Sequence, residues 1–352
     1  MASSPELKTF AKFPPQLINL LIENFSIPKE CFSKPPTTWE TVASLNTLHL
    51  SIFVTLTFIT LLSTILCIEE IMYLLKKVHC PLKRRTLVWS SAAPTVIAIC
   101  SCVGLWIPRS AMFTDMISSI YFAVCFALML WQMIEGFGGE QTLLEELKDA
   151  PMKISTGPCC CCCPCLPPIR MTRRNLWILS IGTIQFSLLR PILLFIAMVL
   201  WMDGKYDLED SSSSSASLWI GCILGAFTVL AMWPLQILFQ EAKVRLADQN
   251  IIPKFALFQT LLILITLQSS ILGMLANAGK VACAPPYAGR ARAQLMNNHL
   301  MIIEMFIVAV VSRLYYRQRD EKEGYSIVSL TNIDNNMDIG NDVTKNSVIT
   351  QC

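Results

Sequence analysis

Seven long apolar segments recur along this 352-residue chain, and they constrain its fold more than any other feature. A run of about 20 apolar residues is long enough to cross the hydrocarbon core of a bilayer as a helix. Charged residues make up 15% of the chain, against about 25% in soluble domains. The sequence therefore predicts an all-α polytopic membrane protein with seven transmembrane helices. We place the spans near residues 48–75, 88–107, 112–134, 176–201, 217–239, 255–276 and 297–315.

The distribution of Lys and Arg predicts the orientation of these spans. The 76–87 connection carries Lys76, Lys77, Lys83, Arg84 and Arg85, whereas the 108–111 and 202–216 connections each carry one basic residue. The basic side of a membrane protein faces the cytosol, so the N-terminus is expected outside and the C-terminus inside. A glycosylation sequon at Asn24 then lies on the side where glycosylation occurs.

Three regions follow from this topology. Residues 1–47 are predicted to be an extracellular N-terminal segment, and residues 48–316 the seven-helix domain. Residues 135–175 form its largest cytosolic loop, and residues 317–352 are a cytosolic tail whose Asn- and Asp-rich composition predicts extensive disorder. No cleavable signal pattern precedes the first span, which is therefore expected to direct membrane insertion.

A cysteine tract lies within the cytosolic loop. Six of the 15 cysteines fall in the sequence Cys-Cys-Cys-Cys-Cys-Pro-Cys, at Cys159, Cys160, Cys161, Cys162, Cys163 and Cys165. Disulfides are disfavoured in the cytosol, and consecutive cysteines cannot all reach one tetrahedral zinc ion. Juxtamembrane cysteines are common sites of S-palmitoylation, which would hold the loop against the inner leaflet. We expect covalent palmitoyl chains here, with metal binding and unmodified thiols as the alternatives.

Two further cysteines, Cys31 and Cys283, fall in segments predicted to be extracellular. In an oxidising compartment they are expected to form one disulfide between the N-terminal segment and the loop before the last span. Free thiols, or a bond to another subunit, are the alternatives.

Ionisable residues inside spans are costly and usually mark an internal partner or a functional path. Arg190 lies near the middle of the fourth span, and Asp115 and Glu304 lie in the outer halves of theirs. Either carboxylate could pair with Arg190, or Arg190 could face the path of an anionic substrate. Glu69 and Glu70 are expected near the inner boundary, with Lys76 within reach.

The sixth span carries polar residues at helical spacing, which could bond neighbouring helices or orient an amphipathic sterol. They are Gln259, Thr266, Gln268, Ser269 and Asn277.

Enzyme signatures are missing from the sequence, including a P-loop, His-Glu-x-x-His and Gly-x-Ser-x-Gly, so no enzymatic activity and no metal cofactor are expected. The net charge of +3 is small, so no nucleic-acid partner is expected either.

Several ordered motifs together resemble one family. They are Cys80 to Leu87 (CPLKRRTL), Ala93 to Val96 (APTV), Gly104 to Ser110 (GLWIPRS), Glu135 to Gly139 (EGFGG), Thr156 to Pro158 before the cysteine tract, Lys254 to Gln259 (KFALFQ) and Ala282 to Tyr287 (ACAPPY). With these motifs the chain, over about residues 27–323, resembles the alpha subunit family of the organic solute transporter.

The resemblance implies a seven-span subunit that works with a separate single-span beta subunit. Together the two would carry bile acids, conjugated steroids and related amphipathic anions by facilitated diffusion. It further implies a basolateral plasma-membrane location in epithelia, reached through assembly in the endoplasmic reticulum. The resemblance assigns no substrate-site residue, and association between alpha subunits stays open.

Two other function classes remain in view. A seven-span receptor is disfavoured because the third span ends Ile134-Glu135-Gly136-Phe137 instead of in an Asp-Arg-Tyr-type switch, and the last span has no Asn-Pro-x-x-Tyr element. A scaffold that stabilises a separate carrier is the other alternative, and flux through the reconstituted protein would distinguish it from a transporter.

Overall fold

The computed structural model describes residues 35–148, 151–152, 169–206, 215–245 and 251–317. Among these residues, seven helices are long and apolar enough to cross a membrane, which confirms the predicted seven-span all-α class. The elements are α1 (Thr38–Ser44), α2 (Thr47–Lys77), α3 (Pro81–Trp106), a 3₁₀ turn (Pro108–Ser110), α4 (Ala111–Gly136), α5 (Glu140–Leu147), β1 (Pro151–Met152), β2 (Ile169–Arg170), α6 (Arg173–Met202), α7 (Ala216–Arg245), α8 (Ile251–Ile263), a π-helical segment (Leu264–Gln268), α9 (Ser269–Asn277) and α10 (Gly289–Tyr316).

The spans extend beyond their predicted limits because a helix does not end where its apolar stretch ends. Helix α3 starts at Pro81, well before the predicted residue 88, and carries a basic first turn outside the apolar stretch. Proline is favoured at this first position because its fixed φ suits a helix and the missing N–H has no intrahelical partner there. Helix α10 likewise starts at Gly289 instead of near residue 297.

The described part of the predicted 135–175 loop contains regular structure. Helix α5 has apolar residues on one side, and Leu143 and Leu147 are fully buried against the main core. Strands β1 and β2 form a short antiparallel pair, with Pro151 opposite Arg170. The cysteine tract lies outside the described residues, between these two strands.

The helices alternate in direction, so the bundle has two ends. We call the end at which α2 begins the N-terminal end, and the end at which α10 finishes the C-terminal end. Helix α3 is central, since it packs against α2, α4 and α10. Helix α6 packs between α4 and α7, and α10 also contacts α2 and α9.

Aromatic rings fill the centre of the largest core cluster. Phe122 and Phe126 of α4 are fully buried. The ring of Phe258 on α8 stacks on Phe122 at a centroid distance of 5.1 Å, and the ring of Phe186 on α6 lies 4.8 Å from that of Phe126. Ring contacts of this kind favour defined geometries, so they fix how α4, α6 and α8 are rotated relative to one another.

The outside of the bundle is apolar. Helix α2 is the clearest case, because Val54, Phe58, Leu61 and Ile65 are all more than half exposed. A large exposed apolar surface on seven long helices is what lipid contact requires, because lipid tails are as apolar as these side chains.

Helices α6 and α7 lie close together at Gly182. A β-carbon built on Gly182 would lie 2.9 Å from Cγ of Pro234 on α7, whereas one built on Gly221 of α7 meets no atom within 4 Å. Small residues allow close approach of helices in membranes.

We therefore expect Gly182→Ala to lower the free energy of unfolding by about 1 to 3 kcal/mol through overpacking against a stiff proline ring. The matched control is Gly221→Ala, which carries the same gain in helix propensity without the clash. Thermal unfolding of the two purified variants in one detergent measures the difference. Equal midpoints would contradict this account of the α6–α7 contact.

Candidate functional site: polar groups inside the helical bundle

The side chain of Arg190, on α6, faces α4 and has no carboxylate partner among the described residues. Its guanidinium donates a long hydrogen bond of 3.4 Å to Oγ of the buried Ser119 on α4. The same group lies 5.1 Å from the ring centroid of Phe186. Its Nε is buried and has no hydrogen-bond partner. A cation near the middle of a span with donor capacity left over is suited to receive an anion.

The backbone beside Arg190 is also unusual. Pro191 follows it inside α6 and cannot donate a hydrogen bond to the carbonyl of Ser187, four residues earlier. Separately, the Ser187 hydroxyl donates to the carbonyl of Ala123 on α4. Helix α6 continues through this point, and the inter-helix bond ties α6 to α4 one turn from Arg190.

Neither carboxylate proposed as a partner for Arg190 meets it, so both pairings are wrong. Asp115 accepts from the amide of Gln294 on α10 at 3.4 Å. Glu304 accepts from the amide of Gln268 at 2.8 and 3.2 Å, with that amide oriented so that its nitrogen faces the carboxylate. Depth in the membrane can be estimated from sequence, but the rotation of a helix about its axis cannot, and rotation decides which side chains meet.

The polar line of the sixth span is interrupted for a related reason. The π-helical segment Leu264–Gln268 separates α8 from α9, and its wider turns break the 3.6-residue spacing that placed Gln259, Thr266 and Ser269 on one face. Thr266 bonds the Leu262 carbonyl of its own helix, Ser269 is exposed, and the Gln259 Oε1 is buried without a partner. These residues do not form one continuous polar stripe.

A polar cluster at the N-terminal end joins α9 and α10. Arg290 donates to the carbonyl of Gly273 at 3.1 Å and to Oδ1 of Asn277 at 3.3 Å. A β-carbon at Gly273 would lie 2.8 Å from the Arg290 guanidinium, so a larger residue there would require the Arg290 side chain to shift. Asn277 of the predicted polar line lies in this cluster, whereas Arg290 was missed because it lies outside the predicted span.

A network of two carboxylates and two guanidiniums joins α2 to α10 at the C-terminal end. Arg313 contacts both oxygens of Glu69, at 2.7 and 2.8 Å. Arg317 contacts Oε1 of Glu69 at 2.9 Å and Oε2 of Glu70 at 2.7 Å. The guanidinium of Arg317 also lies 4.7 Å from the ring centroid of Tyr73. The predicted partner Lys76 takes no part in these contacts.

The electrostatics of Arg317 follow from its position just beyond the last span. Burial lowers the pKa of its guanidinium, but the hydrogen bonds and charges of Glu70 and Glu69 raise it by more, and the net shift is upward. Arg317 is therefore a permanent cation, which the opposing carboxylates hold in place.

We expect Arg317→Ala to lower the free energy of unfolding by about 3 kcal/mol, because it leaves the buried Glu70 carboxylate without its cation. Arg313→Ala should cost less, since half-exposed Glu69 keeps its contact with Arg317. Adding Glu70→Gln to Arg317→Ala should recover part of the loss by removing the unpaired charge. Thermal unfolding of the single and double variants measures this order, and an equal effect of the two arginine substitutions would contradict it.

Helices α7 and α8 diverge from a contact at the C-terminal end. The rings of Phe239 on α7 and Phe255 on α8 stack there at a centroid distance of 3.8 Å, and the two helices otherwise contact each other far less than α7 contacts α6. In the N-terminal half of α7, Trp219 is 60% exposed, and β-carbons built on Gly221 and Gly225 meet no atom within 4 Å. The side of the bundle between the fifth and sixth spans is therefore loosely packed.

Several predicted modification sites fall outside the described residues. These are Asn24, Cys31, Cys159, Cys160, Cys161, Cys162, Cys163 and Cys165. The free cysteines of the described residues are Cys67, Cys100, Cys102, Cys125 and Cys222, and Cys283 is not one of them. Since Cys31 lies outside the described residues, its pairing with Cys283 stays a prediction. In the described part of the chain, no group of three side chains could hold a metal ion.

Comparison with known proteins places this sequence in a family. The model of the family described as Organic solute transporter Ostalpha matches residues 52–321. A protein of Leucoraja erinaceus named organic solute transporter subunit alpha is 49% identical over 307 residues, which is 87% of each chain. The Homo sapiens protein of the same name is 44% identical over 332 residues, covering 94% of this chain and 98% of its own length. Organic solute transporter alpha-like protein 3 of Caenorhabditis elegans is 25% identical over 256 residues. No solved structure matches the chain.

Seven membrane-length helices define a polytopic α-helical membrane protein, and the matching family model assigns it to a class of transport proteins. The chain belongs to the organic solute transporter alpha family.

Proposed function

We propose that this protein is the seven-span subunit of a two-component facilitative transporter for amphipathic organic anions such as bile acids and conjugated steroids. The observation that carries the proposal is Arg190, a guanidinium near the middle of the membrane that meets a hydroxyl and an aromatic face but no carboxylate among the described residues. An anionic tail of the substrate would supply the missing charge. The family membership and the names of the relatives support the transport class.

The loosely packed side between the fifth and sixth spans suits the rest of such a substrate. A flat steroid body is apolar on most of its surface, and it would lie along the open N-terminal half of α7 with lipid tails on its other side. Gln259, with its unpartnered Oε1, and the pair of Gln268 and Glu304 offer hydrogen-bonding groups for steroid hydroxyls. Thr266 and Ser269 contribute hydroxyls on the same span.

The N-terminal end is proposed as the extracellular mouth. There Asp115, Asn277 and Arg290 form part of a polar rim, and Arg290 would attract anions before they enter. This orientation follows the basic connections at the opposite end. With this orientation, Asn24 glycosylation and a Cys31–Cys283 disulfide would be extracellular modifications. The resemblance to the family further implies the basolateral plasma membrane of epithelia as the location.

Partners and lipid attachment complete the proposal. A single-span beta subunit is the expected partner, since the relatives are named as alpha subunits. Palmitoyl chains on Cys159 to Cys163 and Cys165 would hold the cytosolic loop at the inner leaflet and could line the inner end of the path.

The direct test is uptake of a radiolabelled steroid sulfate into vesicles that contain the purified protein, with and without a beta subunit. The expected result is flux that follows the substrate gradient, requires both subunits and does not depend on sodium. Membrane potential is varied in a separate measurement. Absence of flux in correctly folded, paired protein would favour the receptor or scaffold alternatives.

Arg190→Gln is expected to reduce flux of a steroid sulfate by about 10- to 100-fold, because a charge-assisted bond of roughly 1.5 to 3 kcal/mol is lost. Ser119→Ala is the matched control, since it removes the hydroxyl that contacts Arg190 and leaves the cation in place. Surface expression and thermal stability are measured in parallel. Arg190→Gln with normal folding and normal flux would remove Arg190 from the substrate path.

Replacing all six tract cysteines, Cys159 to Cys163 and Cys165, with serine is expected to lower surface level or flux, because the loop would lose its lipid attachment. Acyl-exchange labelling before and after the substitution tests whether the chains are present. Unchanged surface level together with unchanged flux would contradict a role for the tract.

A further inference from the structure

A small cavity lies between α2, α3 and α10, close to the network of Glu69, Glu70, Arg313 and Arg317. Its volume of about 10 Å³ is near the lower limit for holding one water molecule. Three helices contribute to its wall, which combines apolar surface with several polar side chains although it lies within the spans. The lining residues are Leu66, Cys67, Glu70, Ser91, Thr95, Ala309, Ser312 and Arg313.

Glu70 contributes to this wall a carboxylate with one oxygen that has no hydrogen-bond partner. Its side chain is 6% exposed, and its Oε2 accepts from Arg317 at 2.7 Å. Its other oxygen, Oε1, is buried and accepts no hydrogen bond. A buried carboxylate oxygen left without a hydrogen bond is destabilising, so a donor at this position would be strongly favoured.

The hydroxyls of the wall are arranged to accept from a ligand as well. Ser91 donates its hydrogen to the carbonyl of Val88 at 3.2 Å, which leaves oxygen lone pairs free. Thr95 is engaged with Ser63 in the same way, through hydroxyl and carbonyl contacts of 3.1 and 3.4 Å. The cavity wall therefore offers hydrogen-bond acceptors, which suit a small ligand that can donate hydrogen bonds.

Charge decides between a cation and a neutral molecule. The two carboxylates, Glu69 and Glu70, are balanced by Arg313 and Arg317, and Arg313 itself lines the cavity. An added cation would leave the buried network with an uncompensated positive charge, whereas a neutral donor would not. The cavity is also too small for a solute larger than water.

We propose that this cavity binds one ordered water molecule, which donates to Oε1 of Glu70 and completes the polar contact between α2, α3 and α10. Water bound in this way commonly makes about three hydrogen bonds, and Ser91, Thr95 and Ser312 supply further partners for it. The site is separate from the groups assigned to the substrate path and does not depend on the proposed function.

With the bound water, the two halves of the α2–α10 contact differ in polarity. At the N-terminal end Phe53, Leu56 and Ile302 form a dry apolar cluster with Leu105 of α3. At the C-terminal end the contact consists of ion pairs and the hydrated cavity. Water exchange between the cavity and bulk is therefore expected from the C-terminal end.

Radiolytic hydroxyl-radical footprinting of the full-length protein in nanodiscs tests the proposal. Radicals formed from a bound water oxidise side chains beside it, and the free Cys67 lines this cavity. Mass spectrometry of individual peptides should show Cys67 oxidised several-fold faster than Cys125, which is buried in the dry core. Equal, slow oxidation of both cysteines would mean a dry cavity and would overturn the proposal.

A cavity-filling variant distinguishes oxidation of Cys67 by radicals from the bound water from oxidation by radicals that arrive from elsewhere. Ala309→Val adds two methyl groups to the cavity wall, so oxidation of Cys67 should fall to the level of Cys125. Ala127→Val, on α4 and outside the cavity wall, is the control and should leave the rate unchanged. Fast oxidation of Cys67 that persists in folded Ala309→Val would also overturn the proposal, because the radicals would then come from elsewhere.

Discussion

The absence of hydrogen-bonding solvent in the bilayer core is the constraint on which this structure depends. Each backbone N–H and C=O in that layer must be bonded within the protein, and a helix meets this requirement with its own residues. The same condition explains the behaviour of Thr57, Thr60, Thr64 and Thr266, whose hydroxyls bond carbonyls of their own helices four residues earlier. The Ser187 hydroxyl, one turn before Pro191 on α6, also donates to a backbone carbonyl, that of Ala123 on the neighbouring helix α4.

Once the backbone is satisfied, the remaining polar groups determine how the helices are arranged. Charged groups gather at the two ends of the bundle, where Arg290 contacts α9 and where Arg313 and Arg317 join α10 to α2. Between these ends the contacts are mainly apolar, with Phe122, Phe126 and Phe258 at the centre. Arg190 departs from this pattern, since it lies near the middle of α6 and, within the described ranges, contacts a hydroxyl and an aromatic ring but no carboxylate. Burying a guanidinium in the bilayer core costs free energy, and Arg190 is therefore the strongest indication of function in the molecule.

The sequence identified charged residues within the spans, but not the side chains that contact them. Arg190, Asp115 and Glu304 were recognisable because ionisable groups are rare within apolar segments. Their partners Ser119 and Gln294 were not, because polar uncharged residues occur in most spans and carry little signal alone. Gln268 was recognised in the polar line of the sixth span, but not as the partner of Glu304. The network of Glu69 and Glu70 was assigned to Lys76 on grounds of proximity in sequence, whereas the actual partners come from the far end of the chain. The basic residues Arg313 and Arg317, one helical turn apart just where the last span ends, were the available signal.

The sequence by itself determined the class of fold, the number of spans and their approximate depth, because these depend on the length and polarity of continuous segments. Tertiary structure decided which faces of those segments meet. The π-helical segment Leu264–Gln268 shifts the face of the sixth span, and no local residue pattern indicated it. The close approach of Gly182 to Pro234, and of Gly273 to Arg290, likewise depends on the neighbouring helix. Helix rotation, translation and local changes of turn arise from the packing of the whole bundle, and a single segment contains no information about its neighbours.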